Sequence, residues 1–194
     1  GVSIDSRDCQ DGFVFVCIRG SVCNGSRYAK EAIWHGAKVL VAAEEERELI
    51  EKVLGQFPEC EGVLVEDERE ATALLAAKYE GEPSKFMTMI GVTGTKGKTT
   101  TVSMIRKILS ESGIRTGMIG TTGQFDGKEH LPSKHTTPDG VTLQRSLARM
   151  RKNACRACVM EVSSQALKLQ RTKGICFDTG VFLNLGEDHI GRFE

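Results

Sequence analysis

The segment Gly91-Val92-Thr93-Gly94-Thr95-Lys96-Gly97-Lys98-Thr99-Thr100 combines glycines, two lysines and a run of hydroxyls within ten positions. That is the chemistry of an anion site. The strict phosphate-loop spacing G-x-x-x-x-G-K-[ST] fails, because counting back from Gly97 and Lys98 places Val92 at the first position. The physics behind the pattern survives: Gly94 and Gly97 let backbone amides approach a ligand, and Lys98-Thr99 opens a helix whose N-terminus is partially positive. Lys98 can reach the β- and γ-phosphates of a nucleotide as a point charge, and the Thr99 hydroxyl can ligate Mg²⁺. A glycine turn with a solvated lysine is the plain alternative. An apolar strand before the loop and a helix after it favour phosphate.

Ligands in open α/β sheets collect beyond the carboxyl ends of the strands, so the polar residues just past each apolar run define the search. They are Thr121-Thr122, then Glu161 with Ser163-Ser164, then Asn184, Asp188 and His189. Glu161 closes the apolar run Ala157-Cys158-Val159-Met160, where burying a carboxylate is costly unless a cation or hydrogen bonds compensate it. Two readings stay open for it: a magnesium ligand, or a strand-end glutamate that faces solvent or pairs with a lysine. His189 alone would read as a surface or core histidine.

Those residues require a particular set of elements. Phe13 to Ile18, Val39 to Ala42 and Gly62 to Val65 read as strands, with helices from about Tyr28 to His35, Glu44 to Phe57 and Glu68 to Tyr79. Gly81-Glu82-Pro83-Ser84-Lys85 has linker punctuation, which divides the chain into 1–82 and 83–194. Beyond it the pattern predicts a strand from Phe86 to Val92 and a helix from Lys98 to Ser112, with Val102, Ile105, Ile108 and Leu109 on one face. A strand follows at Thr116 to Gly120, then a turn at Asp126-Gly127. A helix to about Lys152 is capped by Thr137, with Pro138 first and Leu143, Leu147 and Met150 inward. Strands at Ala157 to Val162 and Phe177 to Asn184 complete the series. Alternation of this kind implies an α/β fold: a small α/β unit followed by a doubly wound, mostly parallel sheet.

Composition limits the function. Lys+Arg and Asp+Glu both number 26 in 194 residues, so no general basic field exists to attract nucleic acid or an anionic membrane surface. No apolar run nears the roughly 20 residues that span a bilayer. Seven scattered cysteines and the lack of a signal-like leader fit a reduced, cytoplasmic setting. Cys155-Arg156-Ala157-Cys158 is a lone CxxC without a second pair, better read as packed thiols than as a redox or zinc site. A start at Gly1 without methionine is expected of a chain cut from something longer.

Taken together, GVTGTKGKTTT, HTTPDGVTLQ, MEVSSQAL and FLNLGEDH, in this order and spacing, resemble the central domain of the Mur ligases. Ile4-Asp5-Ser6-Arg7, Gly12 to Val16 and Gly20 to Tyr28 resemble that family's uridine-binding domain. The family's loop is T-G-T-x-G-K-T, which accounts for the irregular spacing. The resemblance implies an ATP- and Mg²⁺-dependent ligase of peptidoglycan biosynthesis, adding an amino acid to UDP-N-acetylmuramoyl-L-alanyl-D-glutamate through an acyl phosphate. It implies ATP contacts from Thr93, Gly94, Thr95, Lys96, Gly97, Lys98, Thr99 and Thr100, and metal held by Thr99, Glu161 and His189, with Lys98, Glu161 and His189 catalytic. It further implies substrate contacts from Ile4, Ser6, Ser21, Val22 and Cys23 at the uridine end. His135, Thr136, Thr137, Ser163 and Arg171 would contact the muramoyl-peptide portion. A monomer acting on small molecules, with neither nucleic acid nor membrane as partner, is the corresponding expectation.

Three departures qualify the resemblance. Lys96 stands where asparagine is commoner and adds charge near the phosphates, and Gln165 replaces the histidine usual after the two serines. The third is that the family's carbamylated lysine and amino-acid-recognising domain would lie beyond Glu194, so the 194 residues alone are expected not to complete the ligation. Two rivals remain: a folylpolyglutamate-synthase-like ligase sharing the central fold, and a non-catalytic nucleotide or UDP-sugar binding fragment.

Overall fold

The computed structural model describes residues 1–20 and 23–186. The chain divides into two compact units, Gly1–Tyr79 and the remainder from Glu80.

In the first unit, β1 (Val2–Ser3), β2 (Phe13–Val16), β3 (Ala37–Ala43) and β4 (Glu61–Val65) form a parallel sheet in chain order. The helices are α1 (Ala29–Trp34), α2 (Arg47–Leu54) and α3 (Glu68–Tyr79). Parallel strands covered by helices must be apolar along most of their length, and β3 is buried at five of its seven positions. Phe15, Cys17, Leu40, Ala42, Ile50 and Val53 make the core. The apolar run at Phe13 to Ile18 yields only a four-residue strand, and the charged stretch from Glu44 begins as a 3₁₀ turn before α2.

The second unit is built from β5 (Thr88–Thr93), α4 (Lys98–Glu111), β6 (Thr116–Gly120), β7 (Gly123–Phe125), β8 (His130–Leu131), α5 (Gly140–Lys152), β9 (Ala157–Glu161), α6 (Ser164–Lys168) and β10 (Thr179–Phe182). Its sheet runs β10-β5-β9-β6-β7-β8, parallel through β6 and antiparallel at the β7–β8 edge. Alternate strand residues point to opposite faces, and the core divides accordingly. Ile119 and Met160 pack with Leu143, Leu147 and Met150 of α5, whereas Met118 and Val159 pack with Val102 of α4. The sheet is thus covered on both faces, as the alternating pattern predicts.

Several local expectations change. α5 starts at Gly140, with Asp139 as its cap accepting from the Thr142 N–H at 2.9 Å; Thr137 is buried and bonded elsewhere. A buried hydroxyl that finds a tertiary partner is not available to cap. Ile108 is 65% exposed, leaving Val102, Ile105 and Leu109 as the inward positions of α4. The last strand spans four residues rather than eight, and β1 and α6 are too short for periodicity to register. Cys155 and Cys158 are both buried, and burial pushes both thiols above their ordinary value, which fits packed thiols rather than reactive ones.

Gly36 turns the chain from α1 into β3 at φ 111°, and a Cβ there would meet Asp11 N at 2.5 Å. Gly36→Ala should therefore destabilise the first unit by about 3 kcal/mol, adding backbone strain to a clash with main chain that cannot swing away. Urea denaturation of the variant, read by circular dichroism, checks this; an unchanged midpoint would contradict it.

Candidate functional site: a phosphate loop beside a buried carboxylate

Strand β5 ends at Thr93, and the loop reaches α4 through Gly94 at φ 136° and Gly97 at φ 89°. Both values lie where side chains are disfavoured. Lys98 folds back over the loop: its Nζ donates to the Gly94 carbonyl at 2.6 Å and the Thr95 carbonyl at 3.1 Å. The ammonium therefore lies at the N-terminal end of a fourteen-residue helix, where the free N–H groups and the dipole also favour an anion. Thr93, Gly94, Thr95, Lys98, Ser163 and Asn184 are among the residues lining a cleft of about 300 Å³. Lys96 and Gly97 complete that loop, and Thr99 and Thr100 lie on the first turn of α4, Thr99 partly buried.

The loop is braced from the end of β10. Asn184 Oδ1 accepts from the Lys96 N–H at 3.0 Å, its Nδ2 donates to the Lys96 carbonyl at 3.1 Å, and its own carbonyl accepts from the Thr95 N–H at 3.1 Å. Thr95 Oγ1 accepts from the Gly186 N–H at 2.9 Å. Side-chain amides suit this task because they carry a donor and an acceptor side by side. In the sequence Asn184 is only a polar residue at a strand end, and its place just after a strand that neighbours the glycine loop is the one signal of this bracing.

Glu161 closes β9, paired in register with Val92 of β5, so the two carboxyl ends adjoin. It is 1% exposed. Its Oε1 accepts from the Thr121 N–H at 2.9 Å and its Oε2 from Thr121 Oγ1 at 3.3 Å. Gly120 is what makes room: a Cβ there would come within 2.4 Å of Oε1. No lysine, arginine or histidine among the described residues forms an ion pair with this carboxylate, so it keeps acceptor capacity for a hard cation. The Glu161 carboxylate and the Thr121 hydroxyl are oxygen groups of the kind magnesium takes as ligands. Among the described residues no three His, Cys, Asp or Glu side chains group as a metal site. Asp188 and His189 lie outside the described residues.

Around Glu161 the structure gathers several of the residues singled out by sequence. Thr136 Oγ1 is 3.0 Å from Thr121 Oγ1. Thr137 Oγ1 donates to the Glu161 carbonyl at 2.9 Å and accepts from the Ser163 N–H at 3.1 Å. Ser163 caps α6, accepting from the Ala166 N–H, and Arg171 Nη1 donates to the Thr137 carbonyl at 2.8 Å. His135 is exposed, its carbonyl accepting from Ser133 Oγ.

The first unit has its own pocket, about 360 Å³, with Ile4, Ser6, Cys23, Gly25, Tyr28 and Glu31 in its lining. Ser6 Oγ donates to Glu31 Oε2 at 2.7 Å, and the Ser6 carbonyl is 2.9 Å from His35 Nδ1. Ser21 and Val22 lie outside the described residues.

A glycine loop between a central parallel strand and a helix, with a lysine over the loop and a buried carboxylate on the next strand, defines a nucleotide-binding α/β domain. The chain belongs to the Mur ligase family: the model of the Mur ligase middle domain matches residues 92–194, and that of the Mur ligase family, catalytic domain, matches 1–80. It is 38% identical over 97% of its length to a UDP-N-acetylmuramoyl-L-alanyl-D-glutamate--2,6-diaminopimelate ligase of Clostridium botulinum, and 42% identical over 97% to one of Halalkalibacterium halodurans. It spans 38% and 37% of those relatives' lengths. A solved structure of a ligase of the same name superposes with a TM-score of 0.80 at 26% identity, covering all of this chain and 38% of that one. The fold also matches a MurF ligase from Thermotoga maritima in complex with ADP, at TM-score 0.59 and 22% identity, over 97% of this chain and 38% of that one.

Asn184→Ala should weaken nucleotide binding about tenfold, since it removes both side-chain bonds that hold the main chain of Lys96. Asn184 is not buried, so the melting temperature should move by only a few degrees. Calorimetric titration with ADP alongside a thermal melt checks both; unchanged ADP affinity would contradict the bracing role.

Proposed function

We propose that this chain carries the ATP and sugar-nucleotide half-sites of an ATP-dependent amide ligase of peptidoglycan biosynthesis. Its substrate would be UDP-N-acetylmuramoyl-L-alanyl-D-glutamate, and the incoming amino acid 2,6-diaminopimelate, as in the relatives' names. The observation that carries the reading is the convergence, at adjoining strand ends, of a lysine-covered phosphate loop and a buried carboxylate. The ADP bound in the MurF ligase of like fold supports the nucleotide. The first unit is taken as the uridine-binding part, through Ile4, Ser6, Ser21, Val22 and Cys23, and the second as the ATP-binding part.

In the proposed reaction a substrate carboxylate attacks the γ-phosphorus of ATP, releasing ADP and leaving an acyl phosphate. The amine of the incoming amino acid then adds to the activated carbonyl, and the tetrahedral adduct expels phosphate. Little of this needs covalent help from protein, so positioning and electrostatics dominate. The loop amides from Thr93 to Thr100 cradle the phosphates, and Lys98 exchanges its loop carbonyls for phosphate oxygens, stabilising charge on the transferring group. Thr99, Glu161 and His189, the last outside the described residues, would hold Mg²⁺, which would neutralise triphosphate charge. Thr136, Thr137 and Ser163 orient the muramoyl-peptide, with His135 at the rim. Arg171, anchored by the Thr137 carbonyl, grips a substrate carboxylate through its planar fork.

Balanced charge argues for small-molecule rather than polyanionic partners, and among the described residues no helix is long and apolar enough to cross a membrane. We take the working form as a cytoplasmic monomer.

Lys98→Ala should weaken ATP binding at least tenfold, through loss of a charge-assisted contact, while leaving UDP-N-acetylmuramoyl-dipeptide binding within about twofold. Parallel titrations with the two ligands test this; equal loss of both would refute the division of labour.

A further inference from the structure

The first unit holds a second carboxylate, outside its pocket lining, that the helix pattern gives no reason to bury. Glu68 begins α3 and is 4% exposed. Its Oε1 accepts from the Arg19 N–H at 3.2 Å and lies 3.6 Å from Arg19 Nε. The next residue, Arg69, donates through Nη2 to the Arg19 carbonyl. Arg19 is thus held at both main-chain groups, its N–H by an acid and its C=O by a base, from a helix about fifty residues further along the chain. A buried carboxylate is costly to desolvate unless such bonds compensate it, so helix-start preference alone does not explain its burial.

What Arg19 secures is one wall of the pocket. Arg19 and Asn24 face each other as an isolated antiparallel bridge, with the Gly20 N–H bonded to the Cys23 carbonyl at 2.9 Å. The Gly25 N–H returns to the Ile18 carbonyl at 2.9 Å, and a Cβ on Gly25 would meet Ile18 main chain at 2.8 Å, so the wall has no slack there. Asn24 then caps the 3₁₀ turn Gly25–Tyr28. Cys23, Gly25 and Tyr28 line the pocket together with Ile4 and Ser6. Glu68 and Arg69 are not in the lining.

We propose that Glu68, together with Arg69, is a positioning residue for the uridine-nucleotide pocket, acting through Arg19 to fix the wall formed by Cys23, Gly25 and Tyr28. This rests on reading that pocket as the substrate's nucleotide site. Removing the acid or the guanidinium frees one of the two main-chain groups of Arg19, and the wall must then be ordered by the ligand at the cost of affinity.

The test is calorimetric titration of the full chain with UDP-N-acetylmuramoyl-L-alanyl-D-glutamate and, separately, ADP, for wild type, Glu68→Ala and Arg69→Ala, with thermal melts of each. Arg69→Ala keeps the buried acid, so it remains informative if Glu68→Ala folds poorly. The expected result is a loss of about tenfold or more for the UDP-sugar in each folded variant, with ADP affinity within about twofold. A purely structural role would lower the melting temperature and leave the affinity of the folded protein unchanged. That result, or equal loss of both ligands, overturns the proposal. Failure of the wild type to bind the UDP-sugar removes the pocket reading itself, and the proposal with it.

Discussion

A negative charge buried at the end of a central strand is the constraint around which the second unit is arranged. Glu161 could be hydrated at no cost on a loop; on β9 its carboxylate must be met by protein or by a cation. Gly120 gives it space, Thr121 gives it two hydrogen bonds, and Thr137 fastens the main chain that carries it. Two of these groups are pulled away from an ordinary local role. Thr137 leaves the cap of α5 to Asp139, and Gly120 sits in a strand, where glycine weakens propensity. Local preferences are surrendered where the site requires it, which is the pattern expected of functional regions.

The phosphate loop is stabilised by a complementary logic. Glycines admit the backbone conformation, the helix supplies a partial charge, and an asparagine from beyond the neighbouring strand fixes the main chain of Lys96 between them. The loop is thereby tied to the segment that follows β10, through Thr95 with Gly186 as well as Lys96 with Asn184. A rigid cradle matters for phosphoryl chemistry because its donors must be in place before charge develops.

Much of the fold was legible because its signals are local. Strands such as Thr116–Gly120 and helices such as Glu68–Tyr79 begin and end where apolar periodicity and glycine punctuation place them. The glycine loop between strand and helix was legible for the same reason: glycines, lysine and helix start lie within ten residues. What local signals cannot carry is a hydrogen bond between distant segments. Nothing around Thr137 announces that its hydroxyl will find Glu161 and Ser163, nothing near Asn184 says that its amide will face Lys96, and the burial of Glu68 depends on Arg19, far earlier in the chain. Ile108 shows the converse, an apolar residue at helical spacing with little surface to cover it.

The central claim is that Glu161 stays buried to receive a divalent cation with the nucleotide. Titration of Mn²⁺ followed by electron paramagnetic resonance, with and without a non-hydrolysable ATP analogue, tests it most directly. The account predicts nucleotide-dependent Mn²⁺ binding that weakens at least about tenfold in Glu161→Gln. Equal Mn²⁺ affinity in the folded variant and the wild type would contradict it.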